Sequence, residues 1–230
     1  MTGSAPGVLY LVSTPIGNLG DITLRAVEVL READFVICED SRRSGMLLKH
    51  LGIKKPLRVY HDHSPKAKER MLIDELQTGA RAALITDAGT PLISDPGYGL
   101  VRSAIEAGVR LEALPGPSAF VTALILSGLP ANEFTFVGYL PQKQKARKDS
   151  LARLASERRT LIFYESPYRF LKTLTDMREV LGDRKASVSR EMTKKFEETV
   201  RGRLSELSEH FQTGKVLGEF AIIVAGKQDE

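Results

Sequence analysis

The sequence predicts an α/β protein of two domains, a mostly parallel sheet followed by a mixed one. Three observations predict it. In the first half, short apolar runs alternate with segments of helical periodicity. At "PGPSA", residues 115–119, that rhythm breaks. Further on, "ASVSRE" (186–191) and "ETVRGRL" (198–204) read as two strands with no helix between them. Strands joined through helices run parallel, because a parallel pair needs a long crossover, whereas strands close in sequence pair antiparallel. The boundary falls at the break, giving domains 1–117 and 118–230.

The elements follow in order. "VLYLVST" (8–14) is a continuous, β-branched buried strand. "DITLRAVEVLREA" (21–33) has apolar residues at 22, 26, 29, 30 and 33, which is helical spacing, with Asp21 placed as its N-cap. "FVICE" (35–39) is the second strand, and "RSGMLLKHLG" a short helix stopped by Gly52. "LRVYH" (57–61) is the third strand. Ser64 and Pro65 start a helix that runs to Gly79. "RAALIT" is the fourth strand, "YGLVRSAIEAG" a helix and "VRLEAL" the fifth strand. In the second domain an apolar helix ends in "LILSGLP". The strand "FTFVGYL", a basic helix and the strand "TLIFY" follow. Ser166-Pro167 opens a helix with apolar residues at 170, 171, 174, 177 and 181. A helix over "LSELSEHFQTG" and a last strand "EFAIIVAG" (219–226) close the chain.

Composition narrows the function classes. No apolar stretch in the 230 residues is long enough to span a bilayer. "MTGSAPG" has neither the basic flank nor the apolar core of a secretory signal. Cys38 is the single cysteine and has no disulfide partner within the chain, which points to a reducing cytoplasm. Without CxxC or HExxH, neither a structural zinc site nor a zincin is expected, and no metal is assigned. The chain's net charge is +4, and its excess is local. "QKQKARKDSLARLASERR" (142–159) holds seven cations against two acids, a local +5. Such a run is either a solvated helix face or a polyanion-binding patch. In the second case Lys143, Lys145, Arg147 and Lys148 would neutralise phosphates.

The polar motifs sit where chemistry is expected. "TPIGNLGD", "CEDSRRS", "HDHS" and "DAGTPLISDPG" each follow a strand on one edge of the first sheet, where open α/β sheets bind ligands. The first lacks the three glycines of a dinucleotide fingerprint, and no GK[ST] marks a P-loop. Asp40 beside Arg42 and Arg43 can orient or deprotonate a hydroxyl, or else form a salt-bridged loop. His61 and His63 alternate on one strand end, but no third metal ligand is evident. Glu165 in "YESP" and Glu191 in "SREMTK" end strands of the second domain.

Taken in order, "YLVSTPIGNLGDIT", "CEDSRRS", "ITDAGTPLISDPG", "ALPGPSA", "FYESPYR", "SREMTKKFEE" and "EFAIIVAG" resemble the tetrapyrrole-methylase superfamily, the class III S-adenosylmethionine methyltransferases. The match runs from about residue 8 to 227. Within the superfamily the chain is similar to the branch that methylates the ribose 2'-OH of a cytidine in 16S ribosomal RNA of the small subunit. The resemblance implies a homodimer of two-domain α/β chains, each with S-adenosylmethionine in a cleft between its domains. It implies cofactor contacts at Pro15, at Asp87, Gly89, Thr90 and Pro91, and at Ser118 and Ala119. Further contacts would come from Glu165, Ser166, Met192, Ala221 and Ile222. Candidate catalytic residues are Asp40, Arg42, His61 and Glu191, and Arg42 and Arg43 would hold RNA phosphates. Porphyrin- and precorrin-modifying relatives carry a GDP-type stretch where this chain has "TDAGTP", which favours the RNA branch. Ser41 stands where that branch has Thr, and the hydroxyl is kept. A tetrapyrrole C-methyltransferase and a non-enzymatic RNA-binding module are the competing readings.

Overall fold

A computed structural model describes residues 7–214 and 216–228. The chain divides into two compact units, Met1–Ser118 and Ala119–Glu230.

The first unit alternates strand and helix: β1 (Val8–Val12), α1 (Leu24–Glu32), β2 (Phe35–Cys38), α2 (Ser41–His50), β3 (Leu57–Val59), α3 (Lys66–Gln77), β4 (Arg81–Ile85), α4 (Tyr98–Glu106) and β5 (Arg110–Leu114). Its sheet has the order β3-β2-β4-β1-β5, and every pair is parallel. Ala26, Leu30 and Leu48 of α1 and α2 pack with Val12, Val36 and Ile85 on one face. Leu72, Leu76 and Leu100 of α3 and α4 pack with Leu9, Ile37 and Leu84 on the other. The neighbouring strands β1 and β4 therefore send their helices to opposite faces. That divergence opens a crevice at their carboxyl ends.

The second unit runs α5 (Ala119–Ser127), β6 (Phe134–Tyr139), α6 (Gln144–Ala152), β7 (Thr160–Glu165), α7 (Phe170–Leu181), β8 (Lys185–Arg190), β9 (Glu198–Arg203), α8 (Leu204–Gln212) and β10 (Phe220–Val224). Its sheet order is β6-β7-β10-β8-β9. Only β6 and β7 pair parallel, so the sheet is mixed as expected. Leu151, Phe170, Leu174 and Leu207 cover one face, where Phe170 stacks on Phe220 at 4.0 Å between ring centroids.

Three helix starts differ from the sequence expectation. Thr23, not Asp21, caps α1 by accepting from the Ala26 amide at 3.1 Å; Asp21 ends a 3₁₀ turn that Asn18 caps. Ser64 accepts from the His61 amide at 2.8 Å instead of capping α3. The helix expected at Ser166-Pro167 begins at Phe170, because Ser166 donates its amide to the Glu165 carboxylate. At Ser64 the short polar side chain has met a nearer partner than the helix terminus.

The basic run 142–159 is less available than its charge suggests. Arg147 is buried, with its guanidinium on Asp176 at 2.6 Å and its Nη1 donating to the Gln142 carbonyl. It is an internal ion pair and not an RNA-facing cation. Lys148 pairs with Glu179 at 2.6 Å and Arg159 with Glu157 at 2.6 Å. Lys143 and Lys145 stay exposed. Removing one partner of a buried pair strands the other charge, so Asp176→Ala is expected to cost about 3–5 kcal/mol of unfolding free energy. Equilibrium urea unfolding checks it; a loss below about 1 kcal/mol would mean that Arg147 finds water or another acceptor.

Candidate active site

In the first unit the loops after β1, β4 and β5 are tied into one body. Thr14 and Gly89 exchange both main-chain hydrogen bonds, at 2.9 and 3.0 Å, a one-residue antiparallel bridge. The Thr14 hydroxyl donates to the Thr86 carbonyl at 3.0 Å. Ser13 donates to Thr90 Oγ1 at 3.2 Å, and Thr90 donates on to the Pro117 carbonyl at 3.1 Å. Two glycines make this possible. Gly89 has φ +89°, and a Cβ there would meet Ile16 Cγ2 at 3.4 Å. A Cβ on Gly116 would lie 2.8 Å from Ser13 Cβ. Leu92 and Ser94 also take positive φ, 73° and 64°, so the stretch 87–97 is held in a shape that its own backbone disfavours.

The loops after β2 and β3 join from the side. Arg43 pairs with Asp87 at 3.1 Å, and Asp62 accepts the Gly97 amide at 2.9 Å. Amid this bonding two buried oxygens, Thr86 Oγ1 and Asp87 Oδ1, have no partner among the described residues. A buried acceptor left unpaired costs stability unless something donates to it. Both lie at the carboxyl end of β4, beside the crevice. Hydroxyl and ammonium groups such as those of S-adenosylmethionine match them, so these residues fit the cofactor.

Asp40 has a structural task. Its carboxylate caps α2 through the Arg42 amide at 2.8 Å and grips the Arg42 guanidinium at 2.9 Å. The Arg42 side chain and amide hold its pKa at about 2. That is too acidic for Asp40 to accept protons well near neutrality. The stabilisation belongs to the ionised form. It is complete above the ordinary aspartate value and fades as pH falls towards 2. Burial raises the neighbouring Cys38 thiol, so it is no nucleophile. His61 is exposed, and its imidazole makes no hydrogen bond or ion pair among the described residues. No three His, Cys, Asp or Glu side chains among the described residues gather as a metal ion requires.

In the second unit the expected residues divide. Glu165 is fully buried and accepts from the Ser166 amide, Arg169 and Thr173, each at 2.7 Å. Its carboxylate is spent within its unit, which corrects its place among cofactor contacts. Ile222 belongs to the helix-covered core, whereas Ala221 lies opposite Tyr164 and Ser189 on the other face. Tyr164 there contacts Phe136 and Tyr139, and Phe136 contacts Phe120. Met192 is buried between Glu191 and Thr193, both at positive φ, and Glu191 pairs with Lys194 at 2.9 Å. Ser118 ends the first unit and Ala119 starts α5.

Residues 8–208 match the family model for tetrapyrrole (corrin/porphyrin) methylases. The chain belongs to that family. A ribosomal RNA small subunit methyltransferase I of Haemophilus influenzae is 50% identical over 96% of this chain and 79% of its own. The protein of that name in Thermotoga maritima is 44% identical over 96% of this chain and all of its own. Among solved structures, uroporphyrin III C-methyltransferase of Thermus thermophilus superposes with a TM-score of 0.64 at 22% identity, over 94% of this chain and 97% of that one. Diphthine synthase gives 0.69 at 18%, over 95% and 90%. A form of the Thermus enzyme was solved with S-adenosyl homocysteine. These likenesses show the fold.

Sequence reasoning missed Ser13, Thr14 and Thr86, which it took as strand ends. Their signal was polar residues closing otherwise apolar runs. Gly89→Ala must strain φ, which stands at +89°. It is expected to weaken S-adenosylhomocysteine binding by tenfold or more, about 1.4 kcal/mol, in calorimetric titration of a folded variant. Unchanged affinity would remove the 87–91 loop from the cofactor site.

Proposed function

We propose that the chain transfers a methyl group from S-adenosylmethionine to the ribose 2'-OH of a cytidine in 16S ribosomal RNA, on the small ribosomal subunit in the cytoplasm. What carries the substrate is the relatives at 44–50% identity over 96% of the chain, each a ribosomal RNA small subunit methyltransferase I. The tied loops after β1, β4 and β5 support the cofactor. The corrin and porphyrin enzymes share the fold at 22% identity and lend no support to a tetrapyrrole substrate.

When bound, S-adenosylmethionine supplies a methyl group made electrophilic by its sulfonium. The chain's own residues do the rest. Pro15 and Asp87 to Pro91 would hold the cofactor from the first unit. Arg42 and Arg43, 88% and 64% exposed at their side chains, would grip phosphates beside the target ribose. Asp40 positions Arg42 and the start of α2. His61, unengaged at the end of β3 next to β2, is assigned to take the 2'-OH proton. In-line placement of the ribose oxygen then supplies much of the rate. A homodimer is part of this reading. Its support is α5, apolar all round with Val121 and Ile125 exposed.

One experiment tests the reading: small subunits are incubated with labelled cofactor, the modified nucleotide is mapped, and light scattering reads the enzyme's mass. A labelled cytidine 2'-O-methyl and a dimer mass are expected. His61→Ala should slow single-turnover transfer by about 10²–10⁴-fold, while Asp40→Asn, which still caps α2, retains the rate. No label in RNA despite cofactor binding would overturn the substrate assignment; a full-rate His61→Ala would remove it as the base.

A further inference from the structure

A second basic surface runs from the strand-end loop after β2 along α2 and into the link to β3. Residues 41–59 hold six Lys or Arg and no Asp or Glu. Three are already engaged: Arg42 with Asp40, Arg43 with Asp87, and Arg58 with Glu75. Lys49, Lys54 and Lys55 have no ion-pair partner among the described residues. Lys49 suits the C-terminus of α2 and needs no further account. Lys54 and Lys55, in the link to β3, have no such reason. The three lysines line an open groove of about 700 Å³ together with Leu48, Pro56 and Leu57.

The groove continues a stripe along α2. Arg42, Met46 and Lys49 fall at i, i+4 and i+7, so they share one face, and all three are exposed. Met46 is 66% exposed, an apolar contact between two cations. Gly45 and Gly52 keep the groove open: a Cβ on Gly45 would meet nothing closer than Leu57 Cδ1 at 3.8 Å, and one on Gly52 nothing within 4 Å. The ten residues of α2 span about 15 Å, a length that takes two or three successive nucleotides.

We propose that this stripe and groove form a second RNA contact, which takes a single-stranded segment flanking the target. Its phosphates lie on Lys49, Lys54 and Lys55, and a base lies against Leu48, Pro56 and Leu57. The inference rests on the reading of the chain as an RNA methyltransferase. Cations without internal acids favour a polyanion, and the apolar lining between them favours a strand with unstacked bases. The run 142–159, by contrast, spends Arg147, Lys148 and Arg159 within its own unit.

The test is the triple variant Lys49→Gln, Lys54→Gln, Lys55→Gln, with the Lys→Arg triple as control. Binding of naked 16S RNA and of small subunits is measured against salt concentration. Near 0.1 M salt the Gln triple should bind naked RNA about tenfold more weakly, and the slope of log affinity on log salt should fall by about 2. S-adenosylhomocysteine affinity stays unchanged, and the Arg triple binds as the wild type does. Unchanged RNA affinity and slope, in an enzyme whose wild type methylates small subunits, would overturn this inference alone. Binding lost on assembled subunits but kept on naked RNA would assign the face to an acidic protein and also overturn it. A wild type that neither binds nor labels RNA would instead sink the methyltransferase reading.

Discussion

The paired hydrogen bonds between Thr14 and Gly89 are the constraint on which the first unit's chemistry rests. They join the ends of β1 and β4, neighbours whose helices leave to opposite faces. Without them two diverging loops would border the crevice independently. With them, Ser13 and Thr90 extend the tie to Pro117 after β5, and Arg43 and Asp62 tie in the loops after β2 and β3. Loop order is thus set before any ligand arrives, and pre-set geometry lowers the entropy cost of binding. The positive φ of Gly89, Leu92 and Ser94 is the strain that this network sustains.

In the second unit, charge goes largely into construction. Glu165 organises the turn from β7 into α7 by accepting from three donors, and Arg147 and Asp176 join α6 to α7 inside the unit. Such groups cannot also serve a ligand without leaving buried charges unpaired. The opposite face of the sheet carries Ala221, Tyr164 and Ser189, and the turn around Met192 is strained.

The alternation of apolar runs with helical spacing made both sheets legible, since it reflects burial that the fold must satisfy. Motif position made the strand-end loops legible too. Side-chain engagement was not legible. Nothing in "QKARK" says that Arg147 turns inward while Lys145 stays out, because the acid that captures it lies 29 residues away. Nothing in "CEDSRR" separates a catalytic Asp40 from a capping one, since both need a carboxylate ahead of a helix. The start of α3 was hidden for a related reason: the Ser64 hydroxyl chooses among several nearby amides, and it takes that of His61.

The strand-end loops are proposed as a built cofactor cradle. Amide hydrogen exchange at Thr14 and Gly89, with and without S-adenosylhomocysteine, tests that most directly. Both amides should exchange slowly in the free protein, at rates near those of β1 and β4, and slow further when the ligand is added. Exchange at the rate of open loops, unmoved by ligand, would contradict it.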